Sequence, residues 1–487
     1  MGVKLVIKDE VNIKFEHLPL DARKKLASAF KYEVPYARYQ PSFKLGRWDG
    51  TVSLFGIGGT GYLNNLESIL AILNKIGVAI DVIEDLRKPF NLSFAPITES
   101  YWADLGKVWP EGHNDAGKPI MLRDYQVEAI NKFLQQTQAL QEIATGAGKT
   151  ITTATLAHIC ESQGRTIVIV PNKSLVEQTY EDFINVDLDV GMYYGDRKDL
   201  NKTHTICTWQ SLNILDKKSK NSEHDIITLA EFLDGVSAVI VDEVHMAKAD
   251  VLKNLLTHNL CNAPIRWGLT GTIPKEKFEY EQIFASIGPV VGGIKAHELQ
   301  DAGVLSACHV KVLQLIDLPS FRSYSDEITY QVTNKERMTY ISNQIKDIAN
   351  TGNTLVLVGR IESGNLLVEN IPDAVFVSGT VKTKDRKTEY DEIKTSTNKI
   401  IVATYGVAAV GINIPRIFNL ILIEPGKSFT RVIQSIGRGI RKAHDKDFVQ
   451  IYDVTSTCKY AKRHLAERKK FYKDAKYEFE IKKVDWK

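Results

Sequence analysis

Apolar and polar positions alternate through "MGVKLVIKDEVNIKF", the period of a strand with one buried face, and "WDGTVSLFGI" repeats that period. Around them lie helical patterns, "LPLDARKKLASAFKY" and "LNNLESILAILNKIGV". Residues 1–115 therefore predict a small α+β domain. "PEGHNDAGKP", Pro110 to Pro119, reads as a linker. Beyond it the pattern changes. Short runs that are apolar throughout ("AVIVD", "TLVLVG", "AVFVSG", "KIIVATY", "LILIE", "FVQIYDV") alternate with helical stretches. A parallel strand covered on both faces needs such a run. The expected class is α/β and doubly wound, with one domain over 116–300, a second over 301–455, and a basic helical tail at 456–487.

Bulk properties narrow the setting. A length of 487 residues suits about three domains. Hydrophobic residues at 44% and charged residues at 25% are ordinary for a soluble protein. No apolar run approaches the roughly 20 residues that span a bilayer, and charges stand where a signal peptide needs its apolar stretch. Gly2 raises a lipidation pattern that Ile7 and Lys8 do not support. The five cysteines are scattered with no C-x-x-C, which argues against zinc and a disulfide framework and fits a reducing cytoplasm. The net charge of +3 gives little global steering toward nucleic acid. Lys459–Lys487 holds eleven Lys/Arg against five Asp/Glu, a candidate phosphate-contacting helix or a solvated one packed by Tyr460, Phe471 and Tyr472.

The chemistry concentrates in three places. "EIATGAGKTITTATLAHI" carries Thr145-Gly146-Ala147-Gly148-Lys149-Thr150 into an apolar helix, the form of a phosphate-binding loop. Glycines let backbone N–H groups face phosphate, Lys149 reaches the β- and γ-phosphates, and Thr150 holds Mg²⁺. Ile143 stands where the general pattern has glycine. Downstream, Val239–Val241 reads as a buried strand that ends in Asp242-Glu243. At a strand's carboxyl end Asp242 can coordinate Mg²⁺ and Glu243 can activate water, with His245 able to couple the site to a neighbouring domain. A capping role for the two carboxylates is the plainer alternative. Finally, "QSIGRGIRK" sets Arg438 and Arg441 three residues apart, close to one helical turn, so both lean the same way.

"ATGAGKT" with "DEVH" resembles the DEAD/DEAH-type helicases and translocases of superfamily 2. "MLRDYQVEAI", "TIVIVPNKSLVEQ", "TICTWQSL", "GLTGTIP", "TLVLVGRIESGNLL", "IIVATYGVAAVGINIPR" and "QSIGRGIRK" follow in the family's order over residues 120–455. The resemblance implies two RecA-like motor domains with ATP and Mg²⁺ between them. It puts Arg123, Gln126 and Ala144–Thr150 on ATP, with Gln126 reading adenine, and makes Arg438 and Arg441 fingers on the γ-phosphate. It gives Gly411, Gln434, Thr270 and Thr272 a part in coupling, and Ser174, Trp209, Gln210 and Thr404 a part in holding a strand 3′→5′.

One further stretch is distinctive. "YARYQPSFKLGRWDGTVSLF" interleaves Tyr36, Tyr39, Phe43 and Trp48 with Arg38, Lys44 and Arg47, which suits bases and phosphates. Asp49-Gly50 also marks a hairpin turn, and Trp48 beside it has packing reasons enough. A "G-x-W-D-G" domain ahead of such a motor resembles phage recombination helicases of the UvsW type, those of T5-like phages included. That implies a DNA motor on single-stranded and branched DNA, in the host cytoplasm and without a membrane; no residue names a protein partner. An RNA helicase, or an annealing ATPase that parts no strands, shares the same motifs.

Overall fold

The computed structural model describes residues 2–111, 113, 115–221, 227–248, 250–378, 396–407, 416–443 and 445–487, with the backbone alone at 247, 248, 429, 430, 434 and 438. The chain forms two compact units, 1–143 with 148–293 and 144–147 with 294–487.

The first unit opens with β1 (Lys4–Ile7) and β2 (Asn12–Glu16), antiparallel, whose alternation turns Leu5, Ile7, Ile13 and Phe15 inward. A short ribbon, β3 (Lys31–Glu33) with β4 (Thr51–Ser53), stands apart. Then β5 (Thr60–Tyr62) and β6 (Val82–Asp85) complete a sheet of order β5-β2-β1-β6. Helices Leu20–Ala29 and Leu66–Lys75 close it with Leu26, Ile69 and Leu73.

Packing does not change at residue 115. Trp102 is fully buried and donates from Nε1 to Thr155 Oγ1 at 2.9 Å, while the Tyr101 hydroxyl lies 2.6 Å from His158 Nδ1. Residues 97–109 thus pack on the helix Lys149–Cys160, because their aromatic rings need its apolar face. The stretch expected as a linker closes on itself, with Trp109 N donating to Lys118 O at 2.9 Å and Val108 bridging Pro119.

The larger sheet of this unit uses β7 (Gln138–Ile143), β8 (Arg165–Val170), β9 (Val190–Tyr194), β10 (Arg197–Lys198), β11 (His204–Thr208), β12 (Val236–Asp242), β13 (Ile265–Thr270) and β14 (Val290–Ile294). Its order among the described residues is β10-β9-β11-β8-β12-β13-β7-β14, parallel from β9 to β7. Parallel pairing brings the carboxyl ends of β7, β8, β11 and β12 to one edge, where an open α/β sheet takes its ligand.

The second unit has seven described strands, β15 (Ala307–Leu315), β16 (Thr354–Val358), β17 (Val375–Val377), β18 (Ile400–Thr404), β19 (Asn419–Ile423), β20 (Phe448–Ser456) and β21 (Glu478–Val484). Their order is β17-β18-β16-β19-β20-β15-β21 and every pair is parallel. Both sheets are RecA-like. The tail expected to be helical is a helix, Lys459–Asp474, followed by the edge strand β21. "EFEIKKV" alternates apolar and polar residues, which is why it pairs at an edge with one face wet. Arg468 is buried in a two-pronged pair with Asp453 (2.8 and 2.9 Å), so that cation is unavailable to phosphate.

Candidate active site

At the end of β7 the chain enters the phosphate loop. Ile143, where the general pattern has glycine, is still the last strand residue and is buried, so no turn is required of it. The turning is done by Gly146 and Gly148, at φ +89° and +83°. The left-handed φ favours glycine at 148, and a Cβ there would also press on Nε2 of Gln126. Gln126 Oε1 accepts from Arg123 N at 2.9 Å, and Arg123 Nη1 donates to the Tyr125 hydroxyl at 2.8 Å. These residues at the head of the helix Asp124–Leu134 brace the loop that Lys149 and Thr150 leave. Residues 144–147 pack within the second unit, where a Cβ on Gly146 would come 3.6 Å from Arg441 Cγ and one on Gly437 3.0 Å from Thr145 Cβ.

Lys149 faces the end of β12. Its Nζ lies 2.9 Å from Glu243 Oε1 and 3.9 Å from Asp242 Oδ1, with all three side chains largely shielded from solvent. Glu243 has φ +52°, a left-handed conformation that costs a non-glycine residue about 1 kcal/mol and marks a strained functional position. Asp242 Oδ1 accepts from Glu243 N at 2.8 Å and fixes that kink. Burial pushes both carboxyls up and the Lys149 ammonium pulls them down. The outcome differs: Asp242 ends raised, whereas Glu243, which also bonds to His245, ends well below the usual carboxylate range. Glu243 therefore stays ionised in this arrangement, held so by Lys149 and His245.

A proton-ordered chain leads away from Glu243. His245 Nδ1 lies 3.3 Å from Glu243 Oε2 and 3.0 Å from Thr270 Oγ1. Thr270 Oγ1 donates to Thr272 O at 2.9 Å and accepts from Thr272 N at 3.3 Å. With the Thr270 proton on Thr272 O, a His245 that carries its proton on Nδ1 donates into this network. The three residues expected to couple the site are thus one connected network. Sequence reasoning missed Asp182. On the helix Lys173–Ile184, burial pushes its carboxyl up to about 6, and the Thr150 hydroxyl close by pulls the other way. In "VEQTYEDFI" it looks like any acid on a wet helical face. The Thr150 hydroxyl and the Asp242 carboxylate are hard oxygen ligands of the kind Mg²⁺ requires.

Among the expected strand contacts, Ser174 and Gln210 lie in the first turns of neighbouring helices after β8 and β11, and Gln210 Nε2 donates to Pro171 O at 3.2 Å. Asn172 and Thr208 cap those helices. Trp209 packs its half-buried ring against the core of the sheet with its N–H buried, an arrangement that serves packing. Thr404 ends β18 in the second unit, half-buried. Arg38, Lys44 and Arg47 are exposed, but Trp48 packs with Val34, Ala37 and Phe278 and donates to Thr51 O at 2.8 Å. Asp49-Gly50 does not form a two-residue hairpin; it returns a long excursion into β4. Gly411 and the side chains of Gln434 and Arg438 lie outside the described residues.

Residues 119–275 match the family described as "Type III restriction enzyme, res subunit", and residues 336–443 match "Helicase conserved C-terminal domain". The chain is 22% identical to the ATP-dependent DNA helicase uvsW of Enterobacteria phage T4, over 97% of this chain and 98% of that one. It is 23% identical to the DNA 3'-5' helicase XPB of Kineococcus radiotolerans, over 75% of this chain and 65% of that one. Of solved structures, S. cerevisiae Dbp5 bound to RNA and ADP BeF3 shares the fold with a TM-score of 0.53 at 14% identity, over 75% of this chain and 90% of that one. The restriction-modification enzyme LlaBIII bound to DNA does so at 0.55 and 14%, over 83% and 34%. With the two helicase families matched in order on two RecA-like sheets, and an intact lysine–carboxylate site on the first, the chain is an ATP-hydrolysing helicase of superfamily 2.

Proposed function

We propose that the chain is an ATP-driven DNA helicase that unwinds and migrates branched DNA: forks, four-way junctions, D-loops and R-loops. The observation that carries this reading is the end-to-end similarity, accessory domain included, to a protein named as an ATP-dependent DNA helicase. In this reading Arg123, Gln126 and residues 144–150 bind ATP, and Thr150 with Asp242 holds Mg²⁺, which supplies charge neutralisation on the phosphates when bound. Glu243 takes the proton of the attacking water. Arg438 and Arg441 donate to the γ-phosphate, where arginine's planar fork suits the oxygens. Turnover is relayed from Glu243 through His245 and Thr270 to Thr272, with Gly411 and Gln434 acting from the second domain. Ser174, Gln210 and Thr404 hold the tracked strand by its backbone, 3′→5′ and with little sequence preference.

The test is steady-state ATP hydrolysis with single-stranded DNA, duplex, a four-way junction and single-stranded RNA, at one fixed salt because phosphate contacts are steeply salt-dependent. Stimulation by the junction well above plain duplex, and little by RNA, is the expected result. Stimulation chiefly by RNA overturns the DNA reading and leaves the motor.

A further inference from the structure

Strands β3 and β4 are joined by residues 34–50, a loop that runs out of the accessory domain and returns. Its base is tied to the motor. Val34 N donates to Gly50 O at 2.9 Å, and Val34, Ala37 and Trp48 pack with Phe278. The Tyr36 ring meets Phe278 edge-on at 5.9 Å. Lys277 Nζ lies 5.5 Å from the centre of the Tyr32 ring. Burial first, and the nearby Glu281 carboxylate second, push the Tyr32 hydroxyl up to about 12. Phe278 belongs to the helix Lys277–Ser286, the next helix after the turn that holds Thr270 and Thr272. The excursion is therefore seated directly beyond the relay from Glu243.

Its far end is ordered but bare. Leu45 N donates to Pro41 O at 2.9 Å, Gly46 N to Phe43 O at 3.0 Å and Arg47 N to Ser42 O at 2.9 Å. These bonds hold a compact turn on which Tyr39 is 65% and Leu45 63% exposed. Arg38 lies 4.9 Å from the centre of the Tyr39 ring, and Lys44 and Arg47 flank Leu45. From Val34 to Trp48 there is no acidic residue. Two large apolar side chains held in water by a rigid turn, with three cations in the same stretch, match a polyanion with flat apolar faces. A duplex end, where the last base pair is uncovered and phosphates lie on either side, has both properties.

We propose that residues 36–47 are the strand-parting wedge, with Tyr39 and Leu45 resting on the terminal base pair at a junction and Arg38, Lys44 and Arg47 on its flanking phosphates. This rests on the DNA-helicase reading. Anchorage to Phe278 lets the first motor domain push the wedge as it advances, instead of trailing a flexible loop.

The experiment uses the full chain and a DNA duplex with a single-stranded tail, carrying 2-aminopurine at the first paired position. Tyr39→Ala/Leu45→Ala alters only exposed side chains, so folding is spared and is checked by thermal melting. The expected result is single-strand-stimulated ATP hydrolysis within about twofold of wild type, strand displacement reduced at least about tenfold, and loss of the 2-aminopurine signal seen on wild-type binding, in line with the ~1–3 kcal/mol that one stacked base contributes. Arg38→Ala/Arg47→Ala should lower the slope of log affinity against log salt by about 2, one for each phosphate contact. Unchanged strand displacement in the first variant overturns the wedge. So does an equal loss of hydrolysis and displacement, which would mean that the loop merely supports the motor. A wild type that no DNA stimulates, or that hydrolyses ATP without parting strands, overturns the helicase reading itself and the wedge with it.

Discussion

Lys149 Nζ sits 2.9 Å from Glu243 Oε1, so the cation that would meet phosphate and the base that would activate water are already paired. The pair has two consequences. Lys149 screens Glu243 from Asp242, keeping two adjacent buried carboxylates compatible. Lys149→Ala should therefore abolish ATP hydrolysis and also make the folded state take up a proton near neutral pH, as one carboxyl of the pair neutralises. Hydrolysis assays and a proton-uptake titration of folded against unfolded protein check both. Normal turnover would remove Lys149 from the site.

Glu243→Gln separates binding from chemistry. The amide keeps the size of the side chain but cannot accept the water's proton, so turnover should fall by about 10²–10⁴, the usual contribution of a general base. Affinity for a fluorescent ATP analogue should stay within a fewfold, since Lys149 still has Asp242 beside it. Weakened binding at unchanged turnover would assign Glu243 to the ligand rather than to the water.

Much of this site is legible along the chain because each half is local: six consecutive residues make the loop, and four make the carboxylate motif. Ile143 shows how such reading misleads slightly, since the pattern's first position here belongs to the strand and not to the turn. Asp182 was illegible, because it meets Thr150 only where two helices distant in sequence pack together, and its neighbours look solvated. Trp48 and Trp209 leave two readings open in the sequence, base stacking and packing. Their half-buried rings lie against Phe278 and the sheet core, which are tertiary contacts no local pattern shows. The tail misled through composition. Counting its cations hides that Arg468 points into the protein and that β21 is a strand of the sheet.

Glu424 should give the second unit a distinctive pH response. It is buried, and burial lifts its carboxyl from 4.5 to about 7 against the pull of Arg337, whose Nη2 lies 2.9 Å from Oε1, and of Arg468. The folded state then holds a proton that the unfolded chain has released between those two values. Stability should fall as pH rises from about 4.5 through 7, by about 3 kcal/mol, since each tenfold difference in proton affinity between the two states is worth ~1.4 kcal/mol. Glu424→Gln, which cannot ionise, should flatten that segment of the curve. Urea unfolding of both proteins at pH 5 and pH 8 decides it: equal slopes would mean that Glu424 is ionised throughout.

The carboxyl-terminal helix is either a structural strap or a phosphate contact, and its buried and exposed cations can be tested apart. Arg468 donates from Nε and Nη2 to Asp453 and from Nη1 to Gly426 O at 2.7 Å, and the Tyr472 hydroxyl shares Asp453 at 2.8 Å. Arg468→Ala leaves a buried carboxylate without its cation, which costs about 3–5 kcal/mol. Replacing the pair together, Arg468→Met with Asp453→Leu and Tyr472→Phe, removes the stranded charge and should recover most of that loss. Neither change should alter affinity for single-stranded DNA, because none of the three side chains reaches the surface. Lys462 and Lys473 do reach it. Lys462→Ala/Lys473→Ala should leave the melting temperature alone, and if the helix also follows a DNA backbone it lowers the salt slope of binding by up to about 2. An unchanged slope would make the helix a strap that carries β21 to the edge of the sheet, its surplus charge serving solubility alone.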